Sequence, residues 1–303
     1  MSLLGLVGDI HARGSSPVER VDDYVVVQYQ KLRQAFDHFK RKRVSAVIAP
    51  GDLFNNYGRD TYDVLYSVID LLKEYGFPVY TVFGQHDIRF HNLGVTDTPM
   101  QILIKSHLVW PLRKNGTMVD NGVCLFGANF GEPLFKVPNT HKKLTNIMVM
   151  HKMIINGKKL WPGQTDYSQA RVLERKYGYD LYVCGDNHQA FVNGKVLNCG
   201  SLMRMNIDQA KHKPMYALYD PHKNKLKTFE YDIAPANLVL KSYDSVLGNI
   251  KGLSKKQKKE FAESLNTDYE GGTDYKNNIH GIIKKKRRVR KRAREIIEKS
   301  LEV

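Results

Sequence analysis

Five apolar runs of strand length in this chain each end in a residue that can bind a metal ion or move a proton. Residues 3–7 run into Gly8-Asp9-Ile10-His11, and residues 46–49 into Pro50-Gly51-Asp52. Residues 79–83 run into Gly84-Gln85-His86-Asp87, residues 147–150 into His151, and residues 181–184 into Gly185-Asp186-Asn187-His188. In open α/β sheets, ligands bind beyond the carboxyl ends of the strands. Strands lying side by side would therefore bring all these side chains to one edge. The glycines let the chain turn sharply there and approach an ion closely. Each Gly-Asp alone reads as a turn, and a lone histidine such as His151 reads as structural. Five such endings in sequence order point instead to a shared site.

The intervening patterns agree with such a sheet. Val25, Tyr29, Leu32, Phe36 and Phe39 form one stripe of a helix predicted over 22–43. Val64, Leu65, Val68, Leu71, Leu72 and Tyr75 form the stripe of a second over 61–75, with Asp60 as its cap and Gly76 and Pro78 at its end. A short helix is predicted over 98–106. Asp120-Asn121-Gly122 and Asn193-Gly194 are hairpin signals. Alternating strands and helices followed by antiparallel strands predict an α/β sandwich with mixed sheets.

A chain of 303 residues at 42% hydrophobic content can bury a substantial core. Its three cysteines, Cys124, Cys184 and Cys199, show no CxxC spacing. They read as free buried thiols of a reducing compartment rather than a disulfide framework. No signal segment and no apolar stretch of membrane-spanning length is found, so a soluble, cytoplasmic protein with no membrane partner is expected. The net charge of +16 calls for a polyanionic partner, with a basic surface kept for solubility as the plainer alternative. Composition shifts near Pro235. Residues 237–303 hold 17 Lys and Arg against 9 Asp and Glu, and residues 284–294 carry nine basic side chains in eleven. The expected division is a catalytic domain over 1–235 and a basic, mostly helical segment over 236–303 that binds DNA or a partner.

The motif string resembles the calcineurin-like metallophosphoesterases, whose pattern runs D-x-H, G-D-x-x, G-N-H-[DE], H and G-H-x-H. The matching residues are Asp9-Ile10-His11, Gly51-Asp52-Leu53-Phe54, Gly84-Gln85-His86-Asp87, His151 and Gly185-Asp186-Asn187-His188. Asn198-Cys199-Gly200-Ser201 is similar to the Asn-Pro-Gly-Ser turn that follows the last motif. The resemblance covers residues 1–205 and implies a two-sheet α/β/β/α sandwich with a small helical basic appendage. It implies two divalent metals: one held by Asp9, His11 and His188, the other by Gln85, His151 and Asp186, with Asp52 bridging. His86 becomes the catalytic histidine, with Asp87 orienting its ring. The implied reaction is attack on phosphorus by a hydroxide between the metals, with His86 assisting. Gln85 stands where the family has Asn, and Asp186 where it has His. A carboxylate there makes the second site harder, favouring Mn²⁺ first and Mg²⁺ next over Zn²⁺.

Gly51-Asp52-Leu53-Phe54 and Asp87 resemble most the SbcD-type nuclease subunit of a DNA break-repair complex, in a compact or phage-like version. That resemblance implies DNA as substrate, exo- or endonuclease action, an SbcC-like coiled-coil ATPase as partner and a homodimer. A phosphoesterase for nucleotides or small phosphoesters stays open, as does a catalytically weakened DNA- or ATPase-binding subunit. Arg13, Arg89, Asn55 and Asn56 lie close to the motifs and are candidates for the substrate cleft. His38, His91, His107, His141, His212, His222 and His280 carry no motif context.

Overall fold

The structure, a computed structural model, describes residues 3–57, 62–94, 96–161 and 163–241. In chain order the elements begin with β1 (Leu4–Leu6), α1 (Tyr24–Lys42), β2 (Ala46–Ala49), α2 (Tyr62–Tyr75) and β3 (Val79–Thr81). Then come α3 (Pro99–Lys105), β4 (Val109–Pro111), β5 (Thr117–Asp120), β6 (Val123–Ala128), β7 (Thr145–His151), β8 (Ile154–Ile155) and β9 (Ser168–Gln169). The series ends with α4 (Ala170–Tyr177), β10 (Leu181–Gly185), β11 (Phe191–Asn193), β12 (Val196–Asn198), β13 (Met215–Asp220), β14 (Lys225–Glu230) and α5 (Ala236–Val239). The first four helical and strand expectations match to within a residue or two.

Two six-stranded mixed sheets form the core. One has the order β14-β13-β1-β2-β3-β4, with β1 to β4 parallel and the β13–β14 hairpin antiparallel on one side. The other has the order β11-β12-β10-β7-β6-β5, four parallel strands flanked by antiparallel β11 and β5. Strand side chains alternate between faces. Leu4, Leu6, Ala46 and Ile48 meet Val123, Leu125, Ile147, Val149, Leu181 and Val183 between the sheets. Val47 and Ala49 face outward onto Leu32, Phe36, Leu65 and Leu72 of α1 and α2. Phe126, Met148, Met150 and Tyr182 face the opposite way, onto Ala170 and Leu173 of α4. The layers are thus helix, sheet, sheet, helix, as expected.

Asp23 caps α1 by accepting the Val26 N–H at 3.2 Å, and Arg43 ends it in the left-handed region at φ 55°. Residues 236–240 stay with this body: Val239 and Leu240 are buried, and Leu240 bridges Arg20. Asp60, His280, the basic run 284–294 and the rest of the expected appendage beyond 241 lie outside the described residues.

Candidate metal centre

The parallel alignment of β1, β2 and β3 puts three of the five endings at one edge, and β7 beside β10 supplies the other two. Backbone bonds join these edges. His11 N–H donates to Asp52 O at 2.8 Å, and Asp186 N–H donates to Asp9 Oδ2 at 2.9 Å. The chain bends hard at the ligand positions. His11 (φ 47°), Asp52 (φ 47°) and Asp186 (φ 82°) all sit in the left-handed region, an arrangement that costs energy and clusters at functional sites. Gly84 has no substitute here, because a Cβ would run into the Asp52 carboxylate.

The donor atoms converge. His11 Nε2 lies 3.1 Å from His188 Nε2 and 3.6 Å from Asp52 Oδ2. His151 Nε2 lies 3.3 Å from Asp52 Oδ2. Ligand atoms of Asp9, His11 and His188 fall within 4.8 Å of one another, as do those of His11, Asp52 and His86. Gln85 Nε2 donates to Asp186 Oδ1 at 3.1 Å, which places these two together. Eight of the nine candidates, all but Asp87, are therefore linked into one cluster. Four of the converging donor atoms are buried without a hydrogen-bond partner, namely Asp9 Oδ1, Asp52 Oδ2, Gln85 Oε1 and His151 Nε2, and His11 Nδ1 is a fifth buried ligand-residue atom without one. Buried polar atoms are normally satisfied, and these are oxygen and nitrogen lone pairs suited to hard or borderline dications. Donor atoms around one ion sit about 3 Å apart when each bond is roughly 2.1 Å. The residues fit divalent metal ions.

Electrostatics agree. Burial raises the Asp9 and Asp186 carboxyls above the usual range. Burial also acts to raise Asp52, but the imidazoles of His151 and His11 overcome it and hold Asp52 below that range. Burial lowers His11, and it brings His188 down to about 4. Burial opposes the charge on His151, yet Asp52, Asp9 and Asp186 raise its pKa. Three crowded carboxylates thus draw a proton to His151, and a dication bound among them would supply positive charge in that proton's place.

Backbone carbonyls orient two of the imidazoles. His151 Nδ1 bonds Pro50 O at 2.8 Å, which turns Nε2 inward. His86 Nδ1 bonds Asn55 O at 2.8 Å, leaving Nε2 clear, and its ring stands edge-on to His11 with centroids 4.9 Å apart. The sequence-based expectation that Asp87 orients the His86 ring is corrected by these bonds. Asp87 is buried and accepts from three backbone amides: Leu53 at 3.1 Å, Phe54 at 3.3 Å and Gly84 at 3.1 Å. It ties the second motif loop to the third and so positions Asp52 and His86 together.

Other supports lie outside the strand-end motifs, and of these only the 198–201 turn carried a sequence signal. Gln28 of α1, fully buried, accepts the Arg13 N–H at 3.1 Å and donates to Ile10 O and His11 O at 3.2 and 3.0 Å. Gln209 donates to His188 Nδ1 at 3.2 Å. Asn198 donates to Asn187 O at 2.6 Å, and Ser201 N–H to His188 O at 3.2 Å, so the 198–201 turn braces the last motif. His212 in turn bonds Ser201 O at 2.8 Å. Of the two arginine candidates, Arg13 packs over the Tyr24 ring and Arg89 pairs with Asp97.

Comparison with known proteins finds no match among curated sequences. Among solved structures, TT1561 of Thermus thermophilus is similar at 15% identity, covering 76% of this chain and 98% of that one, with a TM-score of 0.45. An archaeal phosphodiesterase is similar at 12% identity, covering 75% and 99%, with a TM-score of 0.40. A dimetal phosphatase from Danio rerio is similar at 12% identity, covering 76% and 99%, with a TM-score of 0.42. Residues 3–190 match the family described as calcineurin-like phosphoesterase. That span is more than half of the chain and holds all nine candidate residues, so the chain belongs to the calcineurin-like phosphoesterase family.

Proposed function

We propose that this protein is a metal-dependent phosphodiesterase acting on DNA. The observation that carries the reading is the set of four orphaned donor atoms on Asp9, Asp52, Gln85 and His151, gathered beside a histidine with one free ring nitrogen. Two sites are assigned as the motifs imply: Asp9, His11 and His188 for one ion, Gln85, His151 and Asp186 for the other, with Asp52 between. Mn²⁺ is the favoured ion and Mg²⁺ the next, because Asp186 adds an oxygen donor.

When bound, such ions supply Lewis acidity toward phosphoryl oxygens and activate water at neutral pH. The chain does the rest. Pro50 O and Asn55 O fix the ring orientations of His151 and His86. His86 offers a ring nitrogen to the cluster of His11 and Asp52 and can carry a proton to the leaving alkoxide. Asp87 holds the two motif loops in register through its three amide bonds.

DNA as the substrate is supported by the +16 charge and by the nine basic residues in 284–294, which can neutralise several phosphates with release of counterions. The Gly51-Asp52-Leu53-Phe54 and Asp87 matches favour an SbcD-type nuclease working with a coiled-coil ATPase, as a homodimer in the cytoplasm. Three free, buried thiols accord with a reducing compartment.

The test incubates the protein with end-labelled single- and double-stranded DNA, and with bis-p-nitrophenyl phosphate, in Mn²⁺, Mg²⁺ or EDTA. Mn²⁺-dependent DNA degradation is expected. Turnover of the small diester alone overturns the DNA reading, and turnover of neither substrate overturns the enzyme reading for the isolated chain.

A further inference from the structure

Residues 156–161 and 163–172 build a lobe that the metal centre does not use. It is anchored on the short parallel pair β8–β9. Ser168 N–H donates to Met153 O at 2.9 Å. The Gln169 amide grips Gly157 twice, accepting its N–H at 3.1 Å and donating to its carbonyl at 2.8 Å. The lobe is closed on itself and held in shape.

On it lies an open groove of about 540 Å³, lined by Lys159, Gln164, Thr165, Tyr167, Ser168 and Gln169. We propose that this groove is a subsite for an unpaired nucleobase and its phosphate, flanking the bond to be cut. The assignment rests on the reading of the substrate as nucleic acid.

Three observations meet here. The Lys159 ammonium stands 5.6 Å from the Tyr167 ring centroid. A ring and an adjacent cation match a base face and its phosphate, and base–aromatic stacking is insensitive to sequence. The second observation is an orphan donor. Gln164 is 2% exposed, and its Oε1 is committed to the Leu160 N–H at 2.9 Å. That bond fixes the amide's orientation, and Nε2 is left buried with no acceptor. Such a donor is costly until it is paired, and the ring carbonyl of a pyrimidine or guanine is the acceptor that a stacked base offers.

The third observation is position. Met153, which holds Ser168, is two residues beyond the ligand His151, and Asn187 of the last motif donates to Ile154 O at 2.7 Å. Three extended residues span at most about 10 Å, so the β8 backbone that anchors the groove lies within about 10 Å of the His151 backbone. A strand with its phosphorus at the metals can thus lay a neighbouring base in the groove.

The experiment measures fluorescence anisotropy of a labelled oligothymidylate of about ten residues with the full chain in EDTA, and in parallel its cleavage in Mn²⁺. Tyr167→Ala is expected to weaken binding about 5- to 100-fold, from stacking worth about 1–3 kcal/mol. Tyr167→Phe keeps the ring and is expected to bind as wild type. Gln164→Leu is expected to weaken binding several-fold. Hydrolysis of bis-p-nitrophenyl phosphate, too small to reach the groove, stays unchanged and reports an intact fold. Equal binding by wild type and Tyr167→Ala overturns the subsite while leaving the nuclease reading in place. Tyr167-dependent binding without cleavage overturns the nuclease reading, and with it the placing of the groove beside a bond to be cut. A wild-type chain that binds no oligonucleotide overturns both.

Discussion

His86 keeps Nδ1 on a backbone carbonyl and Nε2 clear, and this predicts how its loss depends on the leaving group. His86→Ala is expected to lower kcat about 10²- to 10³-fold on DNA, whose leaving alkoxide needs a proton. The drop should be much smaller on a p-nitrophenyl diester, whose phenolate leaves unaided; equal losses on both would remove the general-acid role. Asp87→Asn is expected to act differently. Burial and nearby Asp52 push the Asp87 carboxyl up to about 7, so its charge is lightly held, while three amide N–H groups depend on its oxygens. An asparagine amide turns an N–H toward one of those donors. A loss of about 1–3 kcal/mol in urea unfolding should follow, with the metal affinity reduced as the Asp52 loop loosens. The sequence named every side chain of the cluster, because each follows an apolar run. It could not name the partner of Asp87, since Leu53 and Phe54 contribute backbone amides and any residue type has those.

Helix α1 shows what periodicity hides at the level of elements. Its stripe was legible from Leu32, Phe36 and Phe39, yet Gln28 and Lys31 are buried on the same face. Reading polar residues as outward-facing conceals Gln28, which latches the His11 loop. Gln28→Leu, similar in size, leaves the Arg13 N–H and the carbonyls of Ile10 and His11 unpaired. It is expected to cost about 1–3 kcal/mol and to weaken metal binding, measured by urea titration and calorimetry. Helix α4 escaped notice because only Ala170 and Leu173 are buried, too sparse a stripe to stand out. The turn under the last motif adds a pH term. Burial lowers His212 to about 4, against about 6.5 when exposed. The unfolded chain therefore takes up a proton through that window while the folded chain does not. Stability falls as pH drops from about 6.5 to 4, by up to about 3 kcal/mol at roughly 1.4 kcal/mol per unit, and the term vanishes above it. The loss from pH 7 to pH 5 in urea should be smaller for His212→Gln than for wild type.

Over the whole molecule, an α/β sandwich with mixed sheets was legible in the alternation of strand and helix patterns, while the two-sheet order of layers was implied by the family resemblance. The lobe over 156–161 and 163–172 was not legible, because its hold rests on side-chain amides binding local backbone. Metal ions at the meeting edges should stabilise the entire fold by mass action. EDTA is expected to lower Tm, and added Mn²⁺ to restore it. Binding should release protons, since Asp9, Asp186 and His151 all carry raised pKa values, so affinity climbs with pH. Calorimetry in two buffers of different ionisation enthalpy checks this. Deleting 284–294 is expected to weaken DNA binding and flatten its salt dependence; unchanged binding would detach the tail from DNA recognition.

The order of ligands along the chain has a consequence for synthesis. Asp9 opens the set, His188 closes it, and β13 must return to pair with β1 after both. A chain still emerging from the ribosome holds an incomplete ligand set until His188 has been made, and an unclosed sheet until β13 follows. Metal binding at this edge is therefore expected to arrive late and all at once.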